Sequence, residues 1–337
     1  MATQKEIVEK LGISQSAVSF ALSGYRRGYK GGRISQEIKD KVIKEAARLN
    51  YKPKTSSKKT KVIALLSDFN KEGVYLPRLM KGVQDFALES SYMVVHHVFS
   101  GNKIPEQLIS SVDGFIAAEL DFGTEMKSIA EIHPLVLLNR RDSDNKSDSV
   151  MPDHYNGMRK GIEQLYEMGH RKFAFFGLRT FHLHHAERFG AYNQVISELD
   201  LPVPDPAWIF IPFRKERSLN DVDHNVKETL SAIIKMKDRP TAVICAADVY
   251  ALSFIKLAPE MKIRIPQDIS IIGFDDIRDC ENSVPPLSSI TQPLEKMGSI
   301  AAKLLIGRIN GNVDSPLGIR VTTEWKSRGS IACPGKW

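Results

Sequence analysis

Residues Thr3–Ser23, TQKEIVEKLGISQSAVSFALS, form the stretch around which the rest of the chain is organised. Thr3 followed by Glu6 is the pattern of a helix N-terminal capping box, and Gly12 predicts the end of that first helix. Ser14 can cap a second helix. The apolar residues recur at helical spacing, which predicts two short helices joined by a tight turn. The predicted inward residues are Ile7, Val8 and Leu11, then Ile13 in the turn, and Ala17, Val18, Ala21 and Leu22.

The outward face of the second helix carries no charge. It consists of Gln15, Ser16, Ser19, Phe20 and Ser23. Gln and Ser can hydrogen-bond to base edges in the major groove of DNA, and an aromatic ring can contact a thymine methyl group. The pattern therefore predicts a helix that reads DNA. A helical hairpin that merely packs against the rest of the chain is the alternative.

A third helix is predicted to share a small core with the first two. Ser35 can cap it, and the segment Asn50–Pro53 ends it. Its apolar face repeats at helical spacing and consists of Ile38, Val42, Ala46 and Leu49. Residues 1–53 are thus expected to form a separate three-helix headpiece.

Two runs of this region, LGISQSAVSFALSG (11–24) and RISQEIKDKVIKEAARLNYKP (33–53), resemble the DNA-binding headpiece of the LacI/GalR family of bacterial transcriptional regulators. Ala17 stands where that family usually has Thr, and Phe20 where it usually has Arg, so the operator sequence cannot be transferred from the family. The resemblance implies that Gln15, Ser16 and Phe20 read bases and that Ser14, Ala17 and Ser19 face the DNA backbone. Thr3 is a further predicted DNA contact.

Two basic segments flank the third helix. The loop GYRRGYKGGRI (24–34) suits an arm along phosphates or in a narrow minor groove, and a solvated basic loop is the alternative. The segment KTSSKKTK (54–61) is the predicted linker, and it lacks the leucine with which the family wedges a hinge helix into the minor groove. The predicted DNA contacts here are Tyr25, Arg26, Arg27, Lys30 and Arg33 in the loop, and Lys54 and Lys58, with Lys59 and Lys61, in the linker.

The positive charge of the chain is concentrated in this region. Residues 1–61 contain 15 Lys and Arg against 5 Asp and Glu, whereas the whole chain carries a net +7, so the remainder carries −3. A cationic module on a mildly acidic body is typical of proteins that bind nucleic acid, because neutralising phosphates and releasing counterions supply much of the affinity.

Composition limits the compartment and the class. The chain has no apolar run long enough to cross a bilayer and no apolar segment near Met1, so neither membrane insertion nor export is expected. Its three cysteines, Cys245, Cys280 and Cys333, have neither metal-ligand spacing nor a disulfide pattern. A cytoplasmic protein without a cofactor is the expectation.

From Val62 onward, apolar strands alternate with amphipathic helices, which predicts parallel sheets covered by helices. A segment of this length favours two α/β lobes over one core. The expected divisions are 62–152 with 293–318 for the N-lobe, and 153–292 with 319–335 for the C-lobe, within an effector and dimerisation domain of 62–337. The predicted strands are Val62–Leu66, Met93–Val98, Gly114–Ala117, Leu135–Leu138, Phe173–Phe176, Ala242–Cys245 and Ser270–Phe274. The predicted helices include Leu76–Glu89, Gly157–Met168, Glu187–Leu199 and Asn225–Met236.

Several runs of this body, among them PLVLLNRR (134–141), ERFGAY (187–192) and IPQDISIIGFDD (265–276), resemble the effector domain of the same regulators, which is similar to type I periplasmic binding proteins. Ligands of open α/β sheets bind beyond the carboxyl ends of the strands. Arg188 and Asp275 are implied to grip the effector; Asn139 and Ala247 replace the commoner Asp and Asn. The full predicted effector set is Asp68, Asn139, His184, Arg188, Asp248, Asp275 and Gln292.

Other interpretations of these residues remain open. Asp248 and Asp276 could instead cap helices, and Arg188 could be a structural ion pair. His182, His184 and His185 lack the companion ligands typical of a metal site. The adjacent carboxylates Asp275 and Asp276 should point apart, and no nucleophile or nucleotide-binding motif accompanies them, so no enzyme is expected.

The sequence thus predicts a ligand-responsive repressor that binds a near-palindromic operator as a homodimer, with a carbohydrate as the expected effector. A periplasmic solute receptor and a sugar-processing protein of the same two-lobe fold are the alternatives.

Overall fold

The computed structural model describes residues 3–23, 35–49, 60–68, 75–99, 103–120, 123–142, 147–177, 183–201, 206–210, 219–312 and 315–335. These residues form a helical headpiece and two α/β lobes. None of the helices in these ranges is both long enough and apolar enough to cross a membrane.

The headpiece contains the three predicted helices, α1 (Gln4–Leu11), α2 (Gln15–Ser23) and α3 (Gln36–Arg48). The Thr3 side chain accepts a hydrogen bond from the Glu6 amide, and Gly12 ends α1 in the left-handed conformation with φ 62°. The Ala17 amide donates to Ser14 Oγ over 3.2 Å, and the Ile38 amide to Ser35 Oγ over 3.4 Å. Each cap satisfies an amide that the helix itself leaves without a partner.

A small apolar core joins the three helices. Its buried members are Ile7, Val18, Ala21, Val42 and Ala46, and the other predicted inward residues except Ala17 are partly buried against them. Ala17 is half-buried and lies outside this cluster. The predicted packing is therefore present in nearly every position.

The N-lobe is built on a six-stranded parallel sheet in the order β11-β5-β4-β3-β1-β2. Its strands are β1 (Val62–Asp68), β2 (Met93–Phe99), β3 (Gly114–Ala118), β4 (Leu135–Leu138), β5 (Asp148–Pro152) and β11 (Gly318–Val321). Its helices are α4 (Tyr75–Glu89), α5 (Glu106–Ser111), α6 (Thr124–Ile132) and α12 (Leu294–Ile309). Buried apolar clusters lie on both faces of the sheet, as expected for strands covered by crossover helices.

The C-lobe repeats this arrangement in the order β12-β10-β9-β8-β6-β7, with β12 antiparallel to β10. Its strands are β6 (Phe173–Phe176), β7 (Ile209–Phe210), β8 (Ala242–Cys245), β9 (Ser270–Asp275), β10 (Ser288–Thr291) and β12 (Glu324–Lys326). Its helices are α7 (His154–Glu167), α8 (Leu183–Glu198), α9 (Leu219–Lys235), α10 (Asp248–Leu257) and α11 (Asp279–Asn282).

The chain passes three times between the lobes, after β5, after β10 and between β11 and β12. The third passage lies later than the boundary at 318/319 expected from sequence. Arg320 and Val321 still pair with Met151 and Pro152 of the N-lobe sheet, so residues 319–321 belong to the N-lobe. This correction matters because Arg320 then contacts the C-lobe from the opposite lobe.

Candidate functional site

The outward face of α2 is the candidate DNA-binding face. Gln15 and Ser16 are exposed there, and the hydroxyl groups of Ser14 and Ser16 lie 2.9 Å apart. Thr3 and Ser14 are exposed as well, although each also caps a helix. The face is therefore uncharged and open to a partner in its described part.

Some predicted DNA contacts fall outside the described residues or side chains. Ser19 and Phe20 belong to α2, but their side chains are not described. Tyr25, Arg26, Arg27, Lys30, Arg33, Lys54, Lys58 and Lys59 lie outside the described ranges. Lys61 is described, and its ammonium group lies 4.4 Å from the centre of the Tyr92 ring, so its charge is already engaged with the N-lobe.

The second candidate site lies where the carboxyl ends of the two parallel sheets face each other. The N-lobe residues Tyr75 and Arg141 follow β1 and β4, and they contact the C-lobe residues Asp275 and Glu187. Such an edge-to-edge arrangement creates a cleft lined by strand-end residues. The predicted effector positions cluster around this cleft.

Arg188 and Asp275 form the centre of the cleft. Arg188 Nη2 lies 2.9 Å from Asp275 Oδ1, and Arg188 Nη1 donates to the Ala246 carbonyl over 2.6 Å. The guanidinium carbon lies 3.8 Å from the centre of the Phe274 ring. Arg188 Nε donates to His154 Nδ1 over 3.3 Å, so His154 carries its own proton on Nε2. The guanidinium is thus held in one orientation with its charge opposite Asp275.

Asp275 gathers contacts from both lobes. Gln292 Nε2 donates to Asp275 Oδ1 over 2.7 Å, and the Tyr75 hydroxyl donates to the same carboxylate. Burial raises the pKa of Asp275, although the Arg188 charge acts in the opposite direction. The backbone φ angle of Asp275 is 126°, a value that residues other than glycine rarely adopt. Strain of this kind persists where neighbouring contacts hold the residue, as they do here.

Two buried amide oxygens are available for a ligand. Asn139 Nδ2 donates to Glu119 Oε1 over 2.8 Å, but Asn139 Oδ1 has no hydrogen-bond partner among the described residues. The same holds for Gln292 Oε1, and both side chains are almost completely buried. A buried acceptor without a donor is costly, so a ligand that brings hydroxyl donors would compensate both.

Asp248 serves the C-lobe internally. Its Oδ1 accepts from Ser289 Oγ over 2.5 Å and its Oδ2 from the Ile277 amide over 2.9 Å. Gly273 is required beside it, because a Cβ there would overlap the Asp248 carboxylate. Burial, reinforced by the charge of Asp275, raises the pKa of Asp248 to about 7. This geometry favours the structural interpretation of Asp248 over ligand contact.

The structure also locates three further residues singled out from the sequence, namely His184, Asp68 and Asp276. His184 is half-buried on α8, one helical turn before Arg188, so the two share a helix face. Asp68 ends β1 at the cleft edge of the sheet, and its side chain is not described. Asp276 pairs with Arg328 over 2.8 Å and accepts from Thr291 Oγ1 over 2.7 Å, so it diverges from Asp275 as expected.

Sequence reasoning missed three residues of the cleft: Tyr75, His154 and Glu187. Glu187 lies 2.9 Å from Arg320, 3.8 Å from Arg141 and 3.6 Å from His154. Tyr75 begins the helix whose predicted start was Leu76, and an aromatic ring with a polar tip at a helix start soon after β1 was an available signal. His154 and Glu187 gave no such signal, because only the fold brings them beside Arg188.

Comparisons with known proteins identify the family and the relatives of the chain. The sequence profile of the periplasmic binding protein-like domain matches residues 162–331, half of the chain. The ribose operon repressor of Haemophilus influenzae is 27% identical, over 92% of both chains. The HTH-type transcriptional repressor PurR of Erwinia tasmaniensis is 25% identical, over 98% of this chain and 97% of its own.

Solved structures share the fold over nearly the whole length. A transcriptional regulator CelR in complex with cellobiose superposes with a TM-score of 0.70 at 22% identity, covering 98% of this chain and all of that one. A Lac repressor dimer bound to operator and an anti-inducer gives 0.68 at 19% identity, covering 98% and 99%. The chain therefore belongs to the periplasmic binding protein-like domain family, and over nearly its whole length it is similar to proteins named as transcriptional repressors.

Proposed function

We propose that this chain is a transcriptional repressor whose affinity for operator DNA is set by a small polyhydroxylated ligand bound between its lobes. The observation that carries the proposal is the presence, in one chain, of an exposed uncharged recognition helix and a buried Arg188–Asp275 pair in an inter-lobe cleft. The relatives are named as repressors rather than enzymes, and Asp275 and Asp276 have separate partners instead of converging as an acid and a base would. The proposal therefore includes no catalytic activity.

The ligand class follows from the polar groups of the cleft. A carboxylate accepts hydroxyl protons, a guanidinium donates to hydroxyl and ring oxygens, and the amide oxygens of Asn139 and Gln292 accept further protons. A carbohydrate supplies donors and acceptors in this density. A homodimer is proposed because one recognition helix covers only a few base pairs, whereas two copies read both halves of a near-palindromic site.

The DNA-binding half is tested by selecting genomic fragments on the full-length protein and measuring affinity for the recovered site. We expect Gln15→Ala with Ser16→Ala to lower the preference for that site over random DNA by roughly tenfold or more, because each base contact contributes about 1–3 kcal/mol. The control is Gln107→Ala on the exposed surface of α5, which should leave the preference unchanged. Retention of full preference by the double variant would contradict the assignment of α2.

The effector half is tested by thermal shift of the full-length protein with a sugar panel that includes D-ribose and cellobiose, the sugars bound in two structural neighbours. A ligand at a hundred times its dissociation constant should add about 2.7 kcal/mol to stability. Arg188→Lys should abolish the shift, since a lysine cannot reproduce the guanidinium fork. The control Arg159→Lys alters an arginine on the outer surface of α7 and should preserve it. A shift that survives Arg188→Lys would place the ligand elsewhere.

A further inference from the structure

A continuous row of polar contacts crosses between the lobes at two points. At the first point, Arg320 of the N-lobe strand β11 pairs with Glu187 of the C-lobe helix α8, with Nη1 and Nη2 at 2.9 and 3.2 Å from the carboxylate oxygens. Arg141, which follows β4 in the N-lobe, adds a longer contact of 3.8 Å to the same carboxylate. One C-lobe carboxylate is therefore held by two N-lobe arginines.

The second crossing is the hydrogen bond from Tyr75 of the N-lobe to Asp275 of the C-lobe. The two crossings are connected inside the C-lobe. Glu187 lies 3.6 Å from His154 Nε2, His154 Nδ1 accepts from Arg188, and Arg188 pairs with Asp275. Asp275, Arg188, His154 and Glu187 are therefore consecutive neighbours along one row of side chains.

The N-lobe side of the second crossing is rigid. Tyr75 is the first residue of α4, and Gln292, which also contacts Asp275, lies just before α12. The two helices pack with their backbones in contact: a Cβ at Gly82 would overlap the Glu295 carbonyl, and one at Gly298 would overlap the Leu79 carbonyl. Such close packing fixes the position of the α4 backbone, and with it the start of the Tyr75 side chain, relative to α12.

At both crossings, the polar groups have partners within the protein and need no ligand. The Tyr75 hydroxyl gives the buried Asp275 carboxylate a donor, and the two arginines, themselves about half exposed, give Glu187 its counter-charges. The pKa of Tyr75 is raised, first by burial and then by the negative charge of Asp275, so its hydroxyl remains a donor at neutral pH. The contacts therefore favour closure without a ligand.

We propose that Tyr75 and Arg320 form a two-point latch that holds the lobes closed in the ligand-free protein, with the Tyr75 hydroxyl at the position on Asp275 that a ligand hydroxyl would take. The last clause rests on the proposed function; the latch itself does not. An effector would then act on a body that is already closed, replacing Tyr75 at Asp275 rather than drawing two open lobes together.

The latch is tested by the distance between spin labels on the two lobes of the full-length protein, without ligand or DNA. Lys127→Cys on α6 and the native exposed Cys333 carry the labels, while Cys245 and Cys280 are buried. An excess of unlabelled protein suppresses distances between copies. The latch predicts one narrow distance for the otherwise unchanged protein.

The decisive variant combines Tyr75→Phe with Glu187→Gln. Tyr75→Phe removes a hydrogen bond to a buried carboxylate and should lower the ratio of closed to open protein by roughly tenfold. Glu187→Gln weakens an ion pair with a half-exposed arginine and should lower the ratio by a smaller factor, up to about fivefold, so the double variant should show a second, different distance. If Tyr75→Phe prevents folding, Glu187→Gln alone still tests the first crossing.

The matched control combines Tyr155→Phe with Glu163→Gln. These substitutions remove a tyrosine–glutamate contact and an arginine–glutamate pair that lie entirely within the C-lobe, so the distance should not change. A broad distribution before any substitution, or an unchanged narrow distance in the Tyr75→Phe, Glu187→Gln variant, would overturn the latch. Neither result depends on whether the protein binds a sugar or DNA.

Discussion

At the scale of single residues, two carboxylates near the cleft differ in their hydrogen-bond partners. These partners, and not the residue type, distinguish a structural carboxylate from one proposed to bind a ligand. Asp248 follows β8, Asp275 is the last residue of β9, and burial raises the pKa of both carboxyl groups. Asp248 receives its donors from within the C-lobe, namely Ser289 and Ile277. Asp275 receives its donors from Arg188 and from residues that bridge to the N-lobe. Of these two carboxylates, Asp275 is therefore the one whose contacts depend on the relative position of the lobes.

The raised pKa of Asp248 predicts a specific dependence of stability on pH. The unfolded carboxyl releases its proton near 3.8, whereas the folded one does so at about 7. Between these values the folded protein binds the extra proton, so the free energy of unfolding falls as pH rises, by at most about 4 kcal/mol in total. The contribution of Asp248 to stability is complete below about pH 3.8 and is lost above about pH 7.

Asp248→Asn should remove the decrease in the free energy of unfolding between about pH 4 and pH 7, because the amide does not titrate. The amide can still accept a hydrogen bond from the Ile277 amide and donate one to Ser289. The measurement is chemical denaturation of the full chain between pH 4 and pH 8. Asp85→Asn, which alters an exposed carboxylate on α4, is the control and should retain the fall. An Asp248→Asn curve parallel to that of the unchanged protein would show that Asp248 does not titrate in this range.

At the scale of elements, the pair α4 and α12 is the most constrained part of the N-lobe. Leu79, Val83, Met297 and Ala301 are buried in the cluster between them, while Gly82 and Gly298 allow the backbones to touch. Glycine costs stability in a helix interior, so its presence at both positions is explained by the close approach it permits. The same packing gives Tyr75 its fixed position.

Gly82→Ala should lower the free energy of unfolding by about 1–3 kcal/mol or more, because the added methyl group meets the backbone carbonyl of Glu295, which cannot rotate away. Gly190→Ala is the matched control. Gly190 lies within α8 with no atom near the position of an added Cβ, so alanine should raise stability by about 0.5–1 kcal/mol. Urea unfolding measures the free energy of unfolding of both variants. Equal changes in Gly82→Ala and Gly190→Ala would contradict the close contact between Gly82 and the Glu295 carbonyl.

At the scale of the whole molecule, the uneven charge distribution separates two tasks. The first 61 residues carry the excess of Lys and Arg, while the two lobes are mildly acidic. Long-range attraction to DNA should therefore come from the headpiece and linker, and the lobes should contribute little to it.

The linker lysines provide the test. Replacing the linker lysines by alanine should reduce the slope of log affinity against log salt concentration by roughly 2–3, since each phosphate contact contributes about 0.9. The lysines replaced are Lys54, Lys58 and Lys59. Lys61 is omitted because it lies on the Tyr92 ring. The control replaces Lys103, Lys127 and Lys303, three exposed lysines of the N-lobe, and changes the net charge equally. If both triple variants give the same slope, the linker lysines are merely solvated.

Local patterns in the sequence determined much of this protein. The capping residues Thr3 and Ser14, the break at Gly12 and the helical spacing of Ile7, Val18 and Val42 led to the three helices that the structure contains. Apolar runs identified the strands Leu135–Leu138, Phe173–Phe176 and Ala242–Cys245 at their observed bounds. These features depend on neighbours in the chain, and the sequence displays such neighbours directly.

Only the tertiary structure decided the rest. β5, β10 and β12 contain polar residues, and β5 ends in a proline, so their sequences alone did not predict strands. They are strands because neighbouring strands pair with them. The role of Asp248 depended on Ser289 and Ile277, and the inter-lobe pairs Tyr75–Asp275 and Glu187–Arg320 join residues more than a hundred positions apart. A pairing between distant residues has no local periodicity, so it becomes visible only when the fold brings the two side chains together.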